Sequence, residues 1–244
     1  MAVIRIFRKL LLVCLLLSLM DASAQAITMN TTLYATDDLS IKMNASSPLN
    51  TSYDYTTSVG GTAKMISYLK FNISGLSDLD INSIKLNMYG NIDPDSDITT
   101  NKIGIYYVEN DSWNETSSFS WATRPAYTNA NLIASTSHST ATDSYNNALY
   151  SWNLFPDNVS LAVLSAEIST GTLSIALQDI SIAADGDIAK TVFLSQNNST
   201  ISDSFKPQLY IEYEVPDPVP APEPSGLILG FLGVSGLIGF KRKK

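Results

Sequence analysis

The sequence predicts an all-β protein, an antiparallel β-sandwich of jelly-roll type, and three observations lead to that prediction. Short segments rich in β-branched and aromatic residues recur between residues 28 and 214. Asn, Asp, Ser, Gly or Pro, which favour turns, bound these segments. Several segments alternate apolar and polar residues, as a strand with one buried face does, and only one stretch has helical character. Many short strands with almost no helix favour two packed antiparallel sheets.

Eight segments are predicted as strands. The alternation is clearest where Ile84, Leu86 and Met88 take turns with Lys85 and Asn87. The predicted strands are residues 65–73, 84–88, 102–109, 132–137, 149–154, 172–178, 191–195 and 208–213. Each is long enough to cross a sheet and too short to be a typical helix.

The one predicted helix spans residues 157–167. It begins with Asp and Asn, residue types that cap helices, and its apolar residues at helical spacing are Val159, Val163 and Ala166. The globular part of the chain has roughly 185 residues, enough for one domain that buries about 70% of the unfolded chain's surface. We therefore expect a single domain.

The first 24 residues have the three parts of a secretory signal. Three cations precede an apolar run at residues 10–20, and the small residues Ala22 and Ala24 mark a cleavage site after Ala24. The alternative is a lipidated Cys14, but Val13 stands where such signals have a small residue. Because Cys14 is the only cysteine, its removal leaves a mature chain with neither a disulfide nor a thiol nucleophile.

The last thirty residues have the order of a membrane stop signal. A proline-rich linker at residues 215–225 is followed by a Gly- and Leu-rich apolar run at 226–240 and by four cations at 241–244. A helix over the apolar run is about 22 Å long, and flanking lysines with local thinning let it reach across a ~30 Å hydrocarbon core. We expect a short membrane helix with a cytoplasmic basic tail. The alternative, a buried core helix, is seldom preceded by five prolines and closed by four cations.

One motif in the linker carries a resemblance. Pro222, Glu223, Pro224 and Ser225, with the apolar run and basic end behind them, resemble the PEP-CTERM sorting signal of bacterial surface proteins. The resemblance implies that an exosortase-type processing enzyme in the membrane recognises the motif and cuts nearby. It also implies an exported protein, anchored first in the inner membrane and then delivered to the cell envelope or extracellular matrix. A GPI signal, the nearest alternative, ends in hydrophobic residues.

The charge of the remaining chain excludes one class of partner. Without the signal segment and the basic tail the chain keeps 8 basic and 22 acidic residues, a net charge of about −14. Nucleic-acid binding needs basic contacts to phosphate, so nucleic acid is not an expected partner. Clustered Asp residues could instead hold divalent cations.

Several segments of the domain at residues 25–214 carry a second resemblance. They are Tyr68-Leu69-Lys70-Phe71-Asn72-Ile73-Ser74-Gly75-Leu76, Ile84-Lys85-Leu86-Asn87-Met88-Tyr89, Trp113-Asn114-Glu115, Phe119-Ser120-Trp121, Arg124-Pro125, Phe193-Leu194-Ser195-Gln196-Asn197 and Lys206-Pro207-Gln208-Leu209-Tyr210-Ile211-Glu212-Tyr213. Together they resemble the DNRLRE family, which implies a β-sandwich module on a secreted bacterial protein. Some relatives are carbohydrate-binding modules for acidic polysaccharides. The chain departs from the family at Gln196 and Asn197, where the family often has Lys and Glu.

Aromatic residues provide candidates for ligand binding. Trp113, Tyr127 and Trp152, with Trp121, could form a platform that stacks against sugar rings. Packing of these rings in the core is the alternative, and residue spacing around a polar turn favours it for Trp113 and Trp121.

Acidic residues provide candidates for calcium. Asp37 and Asp38, or Asp93, Asp95 and Asp97, could supply hard oxygen ligands from a turn. An ordinary solvated turn is the alternative, since no EF-hand glycine and downstream Glu follow. Calcium is the ion that these carboxylates suggest, and no part of the chain demands a cofactor.

Catalysis has little support in the sequence. His138 is the only histidine and has no nucleophile motif near it, which disfavours a catalytic triad. Glu115 is expected to pair with Arg124 rather than to act as an acid. We therefore expect a non-enzymatic surface or matrix protein whose sandwich serves adhesion or structure. The alternative is a carbohydrate-binding module for an acidic polysaccharide, assisted by calcium.

Overall fold

A computed structural model describes most of the predicted domain. The described residues are 26–49, 52–59, 62–93, 95–139, 148–154, 158–181 and 187–215. Residues Thr28–Glu214 form one compact unit, and the two chain ends, grouped as a second unit, lie almost entirely outside the described residues. The predicted signal segment, sorting motif, apolar run and basic tail are therefore not described. Within the described ranges, no helix has the length and apolarity needed to cross a bilayer.

Ten strands and one α-helix make up the described part of the domain. The elements are β1 (Ile27–Lys42), β2 (Tyr53–Val59), β3 (Thr62–Asn72), β4 (Asp80–Ile92), β5 (Thr100–Tyr107), β6 (Leu132–Ser139), β7 (Ala148–Leu154), α1 (Asn158–Thr170), β8 (Thr172–Asp179), β9 (Ile188–Leu194) and β10 (Gln208–Val215). Short 3-10 helices lie at Ser74–Leu76, Asn129–Asn131 and Asp203–Phe205. The all-β prediction is confirmed, and all eight predicted strands occur as β3 to β10 with ends shifted by up to four residues.

Two strands, β1 and β2, were not predicted from the sequence. The adjacent Asp37 and Asp38, which the sequence predicts in a turn, lie inside β1. In β2 the buried positions are Asp54, Thr56 and Ser58. A strand that turns polar side chains inward lacks the apolar alternation by which strands are recognised.

The strands join into one hydrogen-bonded network that closes on itself. Their order is β1-β10-β4-β9-β2-β3-β8-β5-β6, with β7 paired to β4. Antiparallel pairing of β1 with β3 closes the first six strands of this order into a ring. Strands β8, β5 and β6 extend from β3 by further antiparallel pairs. The antiparallel part of the prediction is confirmed, while the assignment to a two-sheet jelly roll stays a prediction.

One apolar core brings inward side chains of β3, β5 and β8 together with those of β4, β7 and β10 and with Phe193 of β9. Its members include Leu69, Phe71, Ile84, Leu86, Met88, Ile103, Ile105, Tyr150, Trp152, Leu154, Leu173, Ile175, Leu177, Phe193, Leu209 and Ile211. Burial of apolar surface on this scale is the main source of folding free energy.

A polar layer occupies other inward positions of the strands. We use this name for Asp38, Ser40, Asp54, Thr56, Ser58, Ser67, Asn101, Asp179, Thr191 and Ser195, each no more than 1% exposed. Hydrogen bonds link several of them across strands: Asn101 Nδ2 donates to Thr191 Oγ1 at 2.6 Å, and Ser58 Oγ donates to Asp179 Oδ1 at 3.2 Å. Such bonds offset the cost of burying polar groups.

Residues 108–131, the covering segment, lie over the outer face of β3, β5 and β8. Trp113, Phe119, Trp121 and Tyr127 of this segment pack with the buried Tyr68 and its neighbours. The Tyr68 hydroxyl donates to the Pro125 carbonyl at 3.0 Å. This outer face, which we call the covered face, is therefore shielded by aromatic side chains.

Helix α1 confirms the one predicted helix and part of its predicted apolar stripe. Val163 packs against the core and Leu164, 3% exposed, belongs to it, whereas Ala166, also predicted on the stripe, is exposed. The helix ends at Gly171, which has φ +82° and donates its N–H to the Glu167 carbonyl at 2.9 Å. Glycine suits this position because it adopts the left-handed conformation without strain.

Candidate functional site

The outer side of β4, β7 and β10 presents a regular set of side chains. In β4, Ile84, Leu86 and Met88 are buried, so Lys85, Asn87 and Tyr89 point to the other side of the strand. The same alternation in β7 buries Tyr150, Trp152 and Leu154 and exposes the residues between them. Strands β4 and β7 therefore each have one buried, apolar side and one more exposed side.

Strand register arranges these outward residues in rows. Lys85 is paired with Tyr210 on one side and with Asn153 on the other. Asn87 is paired with Gln208 and Ser151, and Tyr89 with Leu149. We call this array the open face, and its members are Lys85, Asn87, Tyr89, Leu149, Ser151, Asn153, Gln208 and Tyr210.

Two aromatic rings lie toward opposite ends of the open face. Tyr210 is in the row of Lys85, and Tyr89 is four residues further along β4, a distance of about 14 Å at the rise of a strand. The Tyr89 ring packs edge-on against Phe205, with centroids 4.8 Å apart. Lys85 Nζ lies 5.9 Å from the centroid of the Tyr210 ring. Both rings are thus held by a neighbour and keep part of their surface accessible.

Amide and hydroxyl groups lie between the two rings. Ser151 Oγ donates to Asn87 Oδ1 at 2.8 Å, which fixes the orientation of the Asn87 amide. The amide nitrogen of Asn87, with Gln208 and Asn153, supplies further donors and acceptors. An array of this kind can bind a ligand that combines flat apolar faces with many hydroxyl groups.

The aromatic residues predicted from the sequence do not form a common platform. Trp113 is 3% exposed beneath the covering segment, and Trp152 is 1% exposed in the apolar core. Tyr127 is half-buried, and its hydroxyl donates to Gln178 Oε1 at 2.8 Å. The burial of Trp113 and Trp152 agrees with the alternative interpretation as core residues. Their size favours the interior over solvent.

Trp121 is partly exposed, and a cation lies on its ring. The Arg124 guanidinium lies 4.1 Å from the centroid of the Trp121 ring and donates to the Trp121 carbonyl. Glu115 Oε1 accepts hydrogen bonds from Gln196 Nε2 and, at 3.2 Å, from Asn197 Nδ2. The expected pairing of Glu115 with Arg124 stays a prediction.

Asp38, a candidate calcium ligand, is buried and surrounded by donors. Its Oδ1 accepts hydrogen bonds from Ser195 Oγ at 3.0 Å and Asn197 Nδ2 at 2.9 Å, and its Oδ2 accepts from the Gln196 N–H at 2.6 Å. Burial raises the pKa of Asp38 to about 6, and the hydrogen bonds from Gln196 and Ser195 oppose that rise. These donors give the Asp38 carboxylate hydrogen-bond partners inside the domain, which favour its ionised form as a bound cation would.

Asp37 and Asp38 point to different partners. Asp37 is half-exposed, and its Oδ1 accepts the Glu115 N–H at 3.3 Å. In the part of the chain that the structure describes, no group of three or more His, Cys, Asp or Glu side chains is arranged to hold a metal ion. A calcium role for the pair therefore remains a prediction.

The other predicted acidic set forms an anchored turn. Asp93 Oδ2 lies 2.8 Å from Lys190 Nζ, and Asp95 Oδ2 lies 3.9 Å from it. Asp97 Oδ2 accepts the Ile188 N–H at 2.8 Å. These contacts tie the β4–β5 connection to β9. The side chain of His138 lies outside the described part of the chain.

Gln196 and Asn197, where the chain departs from the DNRLRE pattern, connect three parts of the domain. Gln196 Nε2 donates to the Thr36 carbonyl at 2.9 Å as well as to Glu115, so β1, the covering segment and the turn after β9 meet there. Neutral amides stand where the family often has a cation and an anion. This cluster therefore serves attachment of the covering segment.

Sequence reasoning missed the open face although part of its signal was present. The alternation around Lys85 and Asn87 predicts a strand, and a strand with one apolar side has a polar side opposite to it. In β7 the prominent residue Trp152 points inward, while Ser151 and Asn153 beside it point outward. Pairing of β4 with β10, which brings Tyr210 alongside, depends on contacts over more than 100 residues of sequence and has no local signal.

Comparison with known protein families agrees with the resemblance of the domain to carbohydrate-binding modules. The sequence matches the profile of carbohydrate-binding module family 96 over residues 30–213, which covers β2 to β9 completely and most of β1 and β10. A search of curated proteins finds no match. The family match spans most of the chain and nearly all of the compact unit. The chain belongs to carbohydrate-binding module family 96.

Proposed function

We propose that this protein binds a polysaccharide and that the open face is its binding surface. The observation that carries the proposal is the array of Tyr89 and Tyr210 with amide and hydroxyl groups between them, on three strands whose opposite side is the apolar core. Membership of a carbohydrate-binding module family supports the same class of ligand. A family of binding modules also supports a non-catalytic role.

The geometry favours binding along a chain of sugars rather than of a single sugar. The two rings are separated by about 14 Å along the strand direction, a span that accommodates several sugar units. Each ring can stack against the apolar face of one unit, and Asn87, Ser151 and Gln208 can hydrogen-bond the hydroxyls between. Because strands rather than loops hold these side chains, little ordering is needed on binding.

The test is glycan binding by the purified protein and by two substituted forms, Tyr89→Ala and Tyr210→Ala. We expect the unchanged protein to be retained by at least one polysaccharide on a glycan array, and each variant to bind at least about tenfold more weakly, the loss of a stacked ring. Tyr53→Ala is the matched control, because Tyr53 is 42% exposed on β2, away from the open face. Equal binding by all four proteins would assign the site elsewhere.

We propose the overall architecture to be a β-sandwich related to the jelly roll. Support comes from the apolar core, most of whose members come from β3, β5 and β8, which we place on one side, and from β4, β7 and β10, which we place on the other. In that description the open and covered faces are the outer surfaces of the two layers. An experimental structure that placed these strand groups around a single open lumen would contradict the description.

We also propose that the protein is delivered to the cell surface or extracellular matrix. The order of signal segment, domain, PEP motif, apolar run and basic tail in the sequence supports this. An exosortase-type enzyme would act near Pro222-Glu223-Pro224 while residues 226–240 hold the precursor in the inner membrane. Intact mass of the protein from its native host tests the proposal: we expect a product ending near Pro224, and a Glu223→Ala variant that keeps Lys244. A wild-type mass that includes Lys244 would contradict it.

A further inference from the structure

We propose that β1 is a fourth strand of the binding surface and that Tyr34 on this strand contacts the middle of a bound polysaccharide chain. Tyr34 is then a third aromatic residue of the site, beside Tyr89 and Tyr210. The inference rests on the proposed function and adds a ligand-contacting residue to it. Its support is the direction in which Tyr34 points, its place in the rows of the open face, and its exposure.

The side chain of Tyr34 points away from the apolar core. Its two neighbours in β1 point toward the core, since Ala35 is a member of it and Leu33 packs against it. Side chains alternate between the two faces of a strand, so Tyr34 lies on the outer face. Strand β10, next to β1 in the sheet, turns Leu209 and Ile211 toward the same core. The outer face of β1 is therefore continuous with the open face.

Hydrogen bonding between β1 and β10 places Tyr34 beside Gln208. The Ala35 N–H donates to the Pro207 carbonyl at 3.1 Å. Successive antiparallel pairs lead from β1 through β3, β2, β9 and β4 to β10, and together they make β1 and β10 antiparallel. One residue back in β1 therefore lies opposite one residue forward in β10. These two residues are Tyr34 and Gln208.

The middle row of the open face thereby gains an aromatic residue. Gln208 is paired with Asn87, and Asn87 is paired with Ser151. The row therefore runs from Tyr34 across four strands to Ser151. It combines one ring with two amides and one hydroxyl, which are groups that can contact the apolar faces and the hydroxyls of a sugar.

This middle row lies between the rows of the two rings already described. Strands are about 4.8 Å apart and alternate residues are about 7 Å apart along a strand, so the backbone of Tyr34 is about 8 Å from that of Tyr210 and about 12 Å from that of Tyr89. A polysaccharide chain that contacts both Tyr210 and Tyr89 crosses the middle row. Tyr34 borders the chain there on the β1 side.

Tyr34 has ring surface available for such a contact, since its side chain is on the outer face and the residue is 45% exposed. The other outward residues in this part of β1 are Thr28, Asn30 and Thr32, all exposed and uncharged. They extend the surface beside the ring with hydroxyl and amide groups. Because a regular strand holds the ring, little ordering is needed for it to stack on a ligand.

The experiment is chemical protection of tyrosines in the purified protein. Tetranitromethane nitrates accessible tyrosine rings, and peptide mass spectrometry measures the extent of nitration at each residue. The protein is treated alone and with alginate or pectate, two acidic polysaccharides of the class that the DNRLRE resemblance implies. At a polymer concentration about ten times the Kd, nitration of Tyr34 should fall at least about fivefold, as should that of Tyr89 and Tyr210. Tyr53, 42% exposed on β2, is the matched control and should stay reactive.

Substitution of the same residue provides the second measurement. Tyr34→Ala should weaken binding of the polymer by about threefold to tenfold, because it removes one of three stacking rings. The urea midpoint of unfolding should stay unchanged, since the side chain lies outside the apolar core. Tyr53→Ala should bind as the unchanged protein does.

The possible failures separate this inference from the proposed function. Protection of Tyr89 and Tyr210 without Tyr34, together with full binding by Tyr34→Ala, would overturn the role of Tyr34 while the open face stands. A bound polymer that protects none of the three tyrosines would overturn the open face as well. Retention by neither alginate nor pectate, nor by any polysaccharide of the glycan array, would overturn both proposals.

Discussion

The apolar core and the polar layer occupy inward positions of the same strands, yet they stabilise the domain in different ways. Side chains of the apolar core need no specific partner, so the core gains free energy from burial alone. Each side chain of the polar layer must find hydrogen bonds, and four of its atoms have none: Asp54 Oδ2, Thr56 Oγ1, Asn101 Oδ1 and Asp179 Oδ2. The apolar core therefore supplies most of the free energy of folding. The polar layer makes the free energy of unfolding depend on pH and on whether each buried polar atom has a hydrogen-bond partner.

The largest effect should come from removing the largest side chain of the apolar core. Trp152 contacts Tyr150 and Phe193, with ring centroids 5.8 and 6.0 Å away, and donates its Nε1–H to the Ile103 carbonyl at 3.3 Å. Trp152→Ala should lower the free energy of unfolding by about 3–5 kcal/mol, because it leaves a cavity. Urea titration followed by tyrosine fluorescence measures this change.

The adjacent residue in β7 provides the control. Ser151 points outward, so Ser151→Ala should change the free energy of unfolding by no more than about 0.5 kcal/mol. If the two substitutions cost the same, the assignment of Trp152 to the interior and of Ser151 to the open face would be wrong.

The second effect in size is a dependence of stability on pH that comes from the polar layer. Burial raises the pKa of Asp38 from 3.8 to about 6. It also raises the pKa of Asp54, where the neighbouring Asp38 charge adds to the effect, and that of Asp179. A carboxyl group whose pKa is higher in the folded state binds its proton more tightly there. The contribution of these groups to stability should therefore be greatest below the ordinary Asp pKa of 3.8 and be lost as the pH rises through 6.

We expect the free energy of unfolding to be about 1–2 kcal/mol greater at pH 5 than at pH 8, since one pKa unit corresponds to about 1.4 kcal/mol. Urea titrations at the two pH values, at constant ionic strength, provide the measurement. Most acidic domains lose stability on acidification when their carboxylates are paired with cations. A domain that is more stable at pH 8 would show that cations, and not buried hydrogen bonds, hold Asp38 and Asp54.

The same contrast explains how much of the fold could be predicted from the sequence. Strands that contribute to the apolar core, such as β3 and β4, were found from their alternation. Strand β2 was missed because its inward residues are Asp54, Thr56 and Ser58. Local patterns reveal burial only where the buried residues are apolar. The candidate site was missed for a second reason, since the partners of β4 are strands distant in sequence and register cannot be read from one strand alone.

A third, smaller effect should come from replacing the buried Asp54. Its Oδ1 accepts from Ser40 Oγ at 3.3 Å, and its Oδ2 has no donor. Asp54→Asn keeps an oxygen for Ser40 and places an N–H group where the side chain neighbours Asp38. At pH 8 the variant should be about 1 kcal/mol more stable than the unchanged protein, because it removes a buried group that tends to ionise.

The pH profile distinguishes this explanation from a general change in packing. At pH 5 the gain should shrink toward zero, so the variant should have a flatter dependence of stability on pH. Asp37→Asn, at a half-exposed position of β1, is the control and should leave the profile unchanged. Loss of stability in Asp54→Asn at both pH values would mean that the Asp54 carboxylate has a partner it needs in ionised form.

The smallest effect tests the polar layer at a single hydroxyl. Thr56 is fully buried on β2, opposite Thr191 of β9, and its Oγ1 has no hydrogen-bond partner. Thr56→Val replaces that hydroxyl with a methyl group of similar shape and removes the cost of burying it. Stability should rise by roughly 0.5–1 kcal/mol, and the pH dependence should stay as it was, because no titrating group changes. Thermal unfolding should then show a Tm about 1–4 °C higher. A lower Tm would mean that the Thr56 hydroxyl contributes a hydrogen bond to the layer, so that the layer is stabilised as a connected network in which each polar group supports the next.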